Sequence, residues 1–259
     1  MTKDKGCRAC RDGAALDFDF TMAFQPILDV GSGHVWAYEA LVRGPNGEPA
    51  GTILDRVTDA TRYQFDQAAR VKAIELAGRL FPRDSDTRLS INFMPNAVYE
   101  PNACIRASLE AARRVEFSYR RIMFEFTEQE RFQDIEHVKR IVAAYRQQGF
   151  LTALDDFGAG FAGLNLLANF RPDLIKIDME LVRGIDTDAG RHAIVAGVIA
   201  IARALGVTVL AEGIETAAER EALRGLGITL MQGYHFAKPK LEALPPVEGF
   251  GHRAAARAA

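Results

Sequence analysis

From Ala23 onward the chain alternates short runs rich in β-branched and aromatic residues with longer stretches of helical period, a pattern that commits it to a parallel sheet covered by helices. Strands are expected at Ala23–Leu28, Val35–Val42, Leu89–Phe93, Ile122–Phe126, Thr152–Asp155, Leu174–Ile177, Thr208–Ala211 and Leu230–Gln232. Helices are expected at Thr52–Leu80, Ala103–Arg114, Ile135–Gln147, Ala162–Asn169, His192–Leu205 and Ala217–Leu226. Only the first connection, Asp29-Val30-Gly31-Ser32-Gly33, is too short for a helix and reads as a hairpin. Eight strand runs with one antiparallel pair suit an α/β barrel.

No Pro, Gly or Ser cluster divides the middle of the 259 residues, so a single domain is expected over residues 21–250. Residues 1–20 read as an N-terminal extension and 251–259 as a disordered small-residue tail. Hydrophobic residues at 48% and charged residues at 25% exclude a disordered or collagen-like chain. A net charge of −2 offers no global attraction to a nucleic-acid duplex or an anionic membrane, and neither is expected as a partner. The longest apolar run, Ala193–Ala204, is broken by Arg203 and falls short of the roughly 20 residues a membrane span needs. Three cysteines are too few for a disulfide framework, and no apolar signal segment opens the chain, which makes the cytoplasm the expected location. Cys7 and Cys10 have the spacing of half a zinc site, but no second half lies near them; a polar extension with two incidental thiols fits the surrounding charges better.

The telling feature is where the polar residues fall. Glu39, Asn92 and Glu125 each interrupt an otherwise apolar strand, and burying a carboxylate without a partner costs several kcal/mol. Each therefore needs a cation, a hydrogen-bond network or a raised pKa; three separate ion pairs are one solution. Asp155 and Asp156 are adjacent carboxylates at a strand end, followed by a glycine-rich turn, and a hard divalent cation such as Mg²⁺ or Mn²⁺ supplies the counter-charge they lack. Lys176 lies inside the next strand, Glu212 closes the one after it, and Gln232 arrives on the last. In a barrel all these strand ends reach one face. A structural ion pair of Lys176 with Asp178 or Glu212 is the bland alternative.

Gly158-Ala159-Gly160-Phe161-Ala162-Gly163 is a literal GxGxxG with Asp178 twenty residues beyond Gly158, as a dinucleotide fold requires. Asp155 and Asp156 would then set two negative charges beside a pyrophosphate, and the motif sits mid-chain rather than opening a nucleotide domain. A mobile loop closing near the acidic site fits these glycines better.

Taken in order, Gln25-Pro26-Ile27, Tyr38-Glu39-Ala40-Leu41-Val42-Arg43, Asn92, Glu125-Phe126-Thr127-Glu128, Asp155-Asp156-Phe157-Gly158-Ala159-Gly160, Lys176-Ile177-Asp178, Ala211-Glu212-Gly213-Ile214-Glu215-Thr216 and Gln232-Gly233-Tyr234 resemble the motifs of EAL-domain cyclic-di-GMP phosphodiesterases, from about Met22 to Pro246. The resemblance implies a modified TIM (β/α)₈ barrel with one antiparallel strand. It implies hydrolysis of cyclic-di-GMP to linear pGpG by a water activated by two Mg²⁺ or Mn²⁺ ions. Glu39, Asn92, Glu125 and Asp155 would bind one metal, Asp155 and Asp156 would reach the second, and Glu212 would serve that metal or its water. Lys176, Glu212 and Glu39 are the catalytic residues so implied, with Lys176 orienting the attacking water. Gln25, Leu41, Arg43 and Gln232 would line the substrate site, Arg43 as the phosphate contact. Glu128, Asp178 and Glu215 would support the glycine loop and Lys176 from behind.

The glycine loop departs from the family pattern, with Ala159 for the common Thr and Phe161-Ala162-Gly163 for Tyr-Ser-Ser. The variants resemble those of EAL domains attached to light sensors. No sensor sequence is expected ahead of this domain, and control is expected through a sensor or regulatory partner, a homodimer, or the N-terminal cysteines. The competing functions are a non-hydrolysing cyclic-di-GMP receptor that signals through a partner protein, and an interaction module on a dead barrel. Every expected metal ligand and Lys176 are retained, which favours the enzyme.

Overall fold

The computed structural model describes residues 15–98, 100–127, 134–160 and 163–254. In chain order the elements are β1 (Thr21–Asp29), β2 (His34–Arg43), α1 (Ala50–Leu54), α2 (Arg62–Leu80), β3 (Arg88–Asn92), α3 (Pro101–Cys104), α4 (Arg106–Arg114), β4 (Ile122–Thr127), α5 (Ile135–Gln147), β5 (Leu151–Phe157), α6 (Gly163–Asn169), β6 (Leu174–Ile177), α7 (Met179–Val182), α8 (Ala189–Leu205), β7 (Thr208–Ala211), α9 (Ala217–Gly225), β8 (Leu230–Met231), β9 (Lys240–Leu241) and β10 (Gly251–His252). Strands β2 to β8 run parallel in sequence order, and β1 closes the ring by pairing antiparallel with both β8 and β2. This is the expected modified (β/α)₈ barrel, its one reversed strand produced by the short first hairpin. Among the described residues no helix is long and apolar enough to cross a membrane.

Helix ends follow local chemistry. Asp134 caps α5 by accepting from Glu136 N at 2.9 Å, and Thr216 forms a capping box with Glu219 on α9. Asp188 accepts from the backbone N–H groups of Gly190 and Arg191, so α8 begins at Ala189, three residues before the expected His192. The helix expected over Thr52–Leu80 is two helices. Thr61 Oγ1 accepts from Thr58 N at 2.9 Å, a local side-chain bond that competes with the helical ladder between them. The helix expected from Ala103 begins as α3 at Pro101, where the missing N–H costs nothing, and is followed by α4 from Arg106.

At the chain ends, Phe18 and Phe20 are buried against Phe65 just before β1, which docks the end of the N-terminal extension. The first residues of the expected tail are ordered differently from a free terminus: Gly251 and His252 pair in parallel with β2, and the His252 ring lies 6.0 Å from that of Tyr38.

Strand alternation divides the apolar residues into two cores. Outward-facing residues such as Phe24, Tyr38, Ile91, Phe124, Leu154 and Ile175 join the helices in one large cluster. Inward-facing Ile27, Ala37, Met123, Ala153, Leu174, Leu210 and Leu230 form a separate plug inside the barrel. Within the outer core, α2 carries a buried ion pair, Asp66 with Arg70; Arg70 also donates to Tyr145 Oη at 3.0 Å, and Asp66 Oδ1 accepts from Met94 N at 2.9 Å. The network ties α2 and α5 to the loop that follows Asn92. Asp66→Ala is expected to lower unfolding free energy by about 3–5 kcal/mol, because Arg70, 0% exposed, loses its counter-charge. Urea denaturation tests this, and adding Arg70→Met should recover much of the loss; equal stability of Asp66→Ala and wild type would contradict it.

Candidate active site

The apolar plug predicts the site above it. Two residues along each parallel strand from a plug residue, on the same face, the side chain is polar: Ala37 leads to Glu39, Met123 to Glu125, Ala153 to Asp155, Leu174 to Lys176, Leu210 to Glu212 and Leu230 to Gln232. On reversed β1 the same step runs backwards, from Ile27 to Gln25, which pairs with Glu39. On β3, inward Ser90 leads to Asn92, which pairs with Glu125. One polar layer from eight strands thus lies at the C-terminal mouth of the parallel strands, where (β/α)₈ barrels keep their sites.

Asp155 and Asp156 break the alternation, since neighbours on a regular strand point to opposite faces. The pairing of β5 with β6 runs Leu154 to Ile175 and then Phe157 to Ile177, so two residues of β5 face the single Lys176 of β6. The bulge, with Asp156 at φ 54°, lets both adjacent carboxylates line one pocket. A left-handed aspartate is uncommon and costs on the order of 1 kcal/mol.

Lys176 Nζ sits among four carboxylates, 2.6 Å from Glu212 Oε1, 2.7 Å from Glu125 Oε2, 3.1 Å from Asp155 Oδ1 and 3.6 Å from Glu39 Oε2. Its side chain is 1% exposed. The bland ion pair with Glu212 is therefore present, but as one part of a cluster, and Asp178 instead caps α7 by accepting from Glu180 N at 2.8 Å. Neutral donors complete the layer. Asn92 Nδ2 donates to Glu39 Oε1 at 2.9 Å, Gln232 Nε2 donates to Glu39 Oε2 at 2.8 Å and to Gln25 Oε1 at 3.2 Å, and Ser90 donates to Glu125.

One ammonium cannot balance three buried carboxylates and a half-buried fourth, and their proton affinities record it. Burial and the charges of Glu39 and Asp155 outweigh Lys176 at Glu125, whose carboxyl is pushed up to about 8. Burial, then Asp155 and Asp178, push Asp156 up to about 6. Glu212 is held well above the usual range by burial and Asp155. Burial also acts on Glu39, but Lys176, Gln232 and Asn92 together leave it below the usual value. Lys176 itself is desolvated yet held well above its ordinary value by Asp155, Glu125, Glu212 and Glu39.

Such a surplus of hard oxygen donors suits divalent cations. Carboxylate oxygens of Glu39, Glu125 and Asp155 lie within 4.8 Å of one another, and so do those of Asp155, Asp156 and Glu212. Asp155 belongs to both groups. The residues present fit divalent cations, and Asp155 could serve as a ligand in either group.

A cavity of about 340 Å³ opens over this layer, walled also by Leu41, Asp178, Met179, Arg183, Glu215 and Tyr234. Gly233 forms part of its rim, where a Cβ would meet the Ile214 carbonyl oxygen at 2.1 Å, so only glycine lets these two loops touch. Leu41 also lines a neighbouring, mainly apolar recess of about 600 Å³ with Phe65, Asp66, Asn92, Phe93 and Asn96. Arg43 is not brought into the cavity: its Nη1 donates to the Val42 carbonyl at 2.6 Å. Glu215 pairs with Arg183 rather than with Lys176. Glu128 lies outside the described residues, as do Cys7, Cys10, Phe161 and Ala162.

Sequence reading missed Ser90, Arg183 and Glu219. Ser90 was findable, two positions before Asn92 on the same strand face. Glu219 is buried and accepts from Gly184 N, Glu215 N and Thr216 N at 2.9–3.0 Å, a role only its cap position hinted at. Arg183 carried no signal, since nothing local tells which surface arginine faces a cavity.

Fold and site together define a (β/α)₈ barrel with a carboxylate-rich, metal-suited pocket at its C-terminal mouth. The chain belongs to the EAL domain family, which matches residues 11–239. A standalone versatile EAL protein from Vibrio cholerae O395, solved in its c-di-GMP-bound form, superimposes with a TM-score of 0.87 at 51% identity, covering 90% of this chain and 98% of that one. The calcium/cy-diGMP complex of Klebsiella pneumoniae BlrP1 gives 0.82 at 33% identity, covering 90% of this chain and 60% of that one. Among curated relatives, the blue light- and temperature-regulated antirepressor BluF of Escherichia coli is 32% identical over 94% of this chain, and the probable cyclic di-GMP phosphodiesterase PdeG of the same organism 29% over 90%. The chain spans 60% of BluF and 46% of PdeG.

Proposed function

We propose that the chain hydrolyses cyclic-di-GMP to linear pGpG with two Mg²⁺ or Mn²⁺ ions. The observation that carries this reading is the pair of carboxylate groups sharing Asp155 beside Lys176 at the barrel mouth. Glu39, Glu125 and Asp155, with the Asn92 amide beside Glu39, would hold one ion; Asp155, Asp156 and Glu212 would hold the other. When bound, the ions neutralise the carboxylates, polarise the phosphoryl oxygens and make a water acidic enough to attack. Lys176 Nζ and the Glu212 carboxylate, 2.6 Å apart on the cavity wall, would orient that water and take its proton. A bond from the water oxygen to phosphorus would form as the bond to the 3′ oxygen breaks, and the proton taken from the water would pass to that leaving oxygen. The apolar recess beyond Leu41, with Asp66 and Asn96 on its wall, has the size and character to take a purine base.

Relatives in complex with c-di-GMP support the ligand, and BlrP1 complexes with calcium and manganese support the divalent ions. The receptor reading draws on one observation, that a relative as similar as BluF carries the name antirepressor. The retained carboxylates and Lys176 favour turnover. Incubating the purified protein with cyclic-di-GMP and Mg²⁺ or Mn²⁺ should yield pGpG on chromatography, and EDTA should stop it. Intact binding without turnover would replace the enzyme with the receptor.

A further inference from the structure

Two cationic side chains line the cavity among the described residues, Lys176 and Arg183. Lys176 stands within 3.1 Å of Glu125, Asp155 and Glu212, so it serves the carboxylate cluster rather than a phosphate lying away from it. Arg43 points back to its own strand. Six carboxylates, those of Glu39, Asp155, Asp156, Asp178, Glu212 and Glu215, also line it. A ligand carrying two phosphates can place one against the metal-suited carboxylates; its other phosphate needs a cation elsewhere on the wall.

Arg183 meets that need. Its Nη1 and Nη2 grip the two oxygens of Glu215 at 2.5 and 2.8 Å, the same parallel fork a guanidinium presents to phosphate. The two side chains are 41% and 44% exposed, so this ion pair is weak and exchange of one anion for another costs little. The backbones beneath are fixed. Arg183 follows the Asp178-capped α7, the chain turns at Gly184 with φ 71°, and buried Glu219 holds both Gly184 N and Glu215 N. A rigid base thus carries an exchangeable head at the cavity wall.

We propose that Arg183 is a ligand-binding cation that rests on Glu215 in the free protein and donates to the phosphate of the bound cyclic dinucleotide lying away from the carboxylate cluster. This rests on the cyclic-dinucleotide reading of the site. Charge-assisted contacts of this kind correspond to about 10- to 100-fold in affinity.

The test is a double-mutant cycle on the full chain, reading the dissociation constant of cyclic-di-GMP in Ca²⁺ by calorimetry, with thermal midpoint and Ca²⁺ affinity alongside. Arg183→Ala is expected to weaken binding at least tenfold both in the wild type and in a Glu215→Gln background, and Arg183→Lys to restore part of it. Unchanged binding in Arg183→Ala overturns the assignment, and so does a loss that vanishes once Glu215 is already glutamine, which would make the pair a loop staple. A wild type that binds Ca²⁺ but no cyclic-di-GMP overturns the substrate reading itself, and this assignment with it.

Discussion

Asp155→Ala should abolish turnover while leaving the metal-free fold at least as stable as the wild type. Asp155 is the one carboxylate common to both candidate ion sites, so its loss removes a ligand from each. Lewis-acid activation contributes several kcal/mol to such reactions, which corresponds to a fall in kcat on the order of 10³-fold or more. The fold should tolerate the change because Asp155 is a source of repulsion: its charge helps push Glu125, Asp156 and Glu212 upward. Lys176 keeps Glu125, Glu212 and Glu39 as partners. The measurement is kcat for pGpG formation in saturating Mn²⁺ alongside a thermal melt in EDTA. Turnover within tenfold of wild type would remove Asp155 from the metal assignment.

Lys176→Met should act in the opposite sense on stability. Among the described residues its ammonium is the one cation paired with the carboxylate layer, and removing it leaves buried Glu39, Glu125 and Asp155 and half-buried Glu212 without a counter-charge. Breaking a buried ionic network by deleting one partner costs about 3–5 kcal/mol, which for a chain of this size lowers the melting temperature by on the order of 10 °C in EDTA. Mn²⁺ should restore much of the loss, because a divalent ion supplies the missing charge and binds only the folded state. Activity should stay low even where stability returns, since the donor that would orient the water is gone. A melt in EDTA that matches the wild type would mean that the carboxylates are neutral without Lys176, and the counter-charge account would fail.

The two substitutions separate a ligand that is unfavourable without metal from a cation that stands in for metal. They would also show how such a site tolerates an acidic cluster: Lys176 neutralises part of the charge, and divalent ions would complete it.

How much of this was legible in the sequence depends on the range over which each residue's role is set. Glu39, Asn92, Glu125 and Lys176 stood out because each interrupts a strand, and a period of two is a local property of the chain. The plug residues, two positions earlier, follow the same period but emerged only with the structure. Helix limits were less so. Asp188 moved the start of α8, and the Thr58–Thr61 turn divided one expected helix into two, because short side chains compete with the backbone within a few residues. Arg43 was expected at the phosphate from the family resemblance and its planar donors, yet its guanidinium bonds to Val42 O; a long side chain has several rotamers, and the surroundings choose among them. Arg183 and Glu215 form the converse case, a contact 32 residues apart that no periodicity encodes.

By itself, the sequence determined the barrel, its single reversed strand and the polar layer at the strand ends, since alternation, strand count and one short hairpin leave few other ways to bury these apolar faces. Only the tertiary structure decided that adjacent Asp155 and Asp156 face the same cavity, because that needs a bulge against Lys176, and bulges are set by the pairing of two strands rather than by either strand alone.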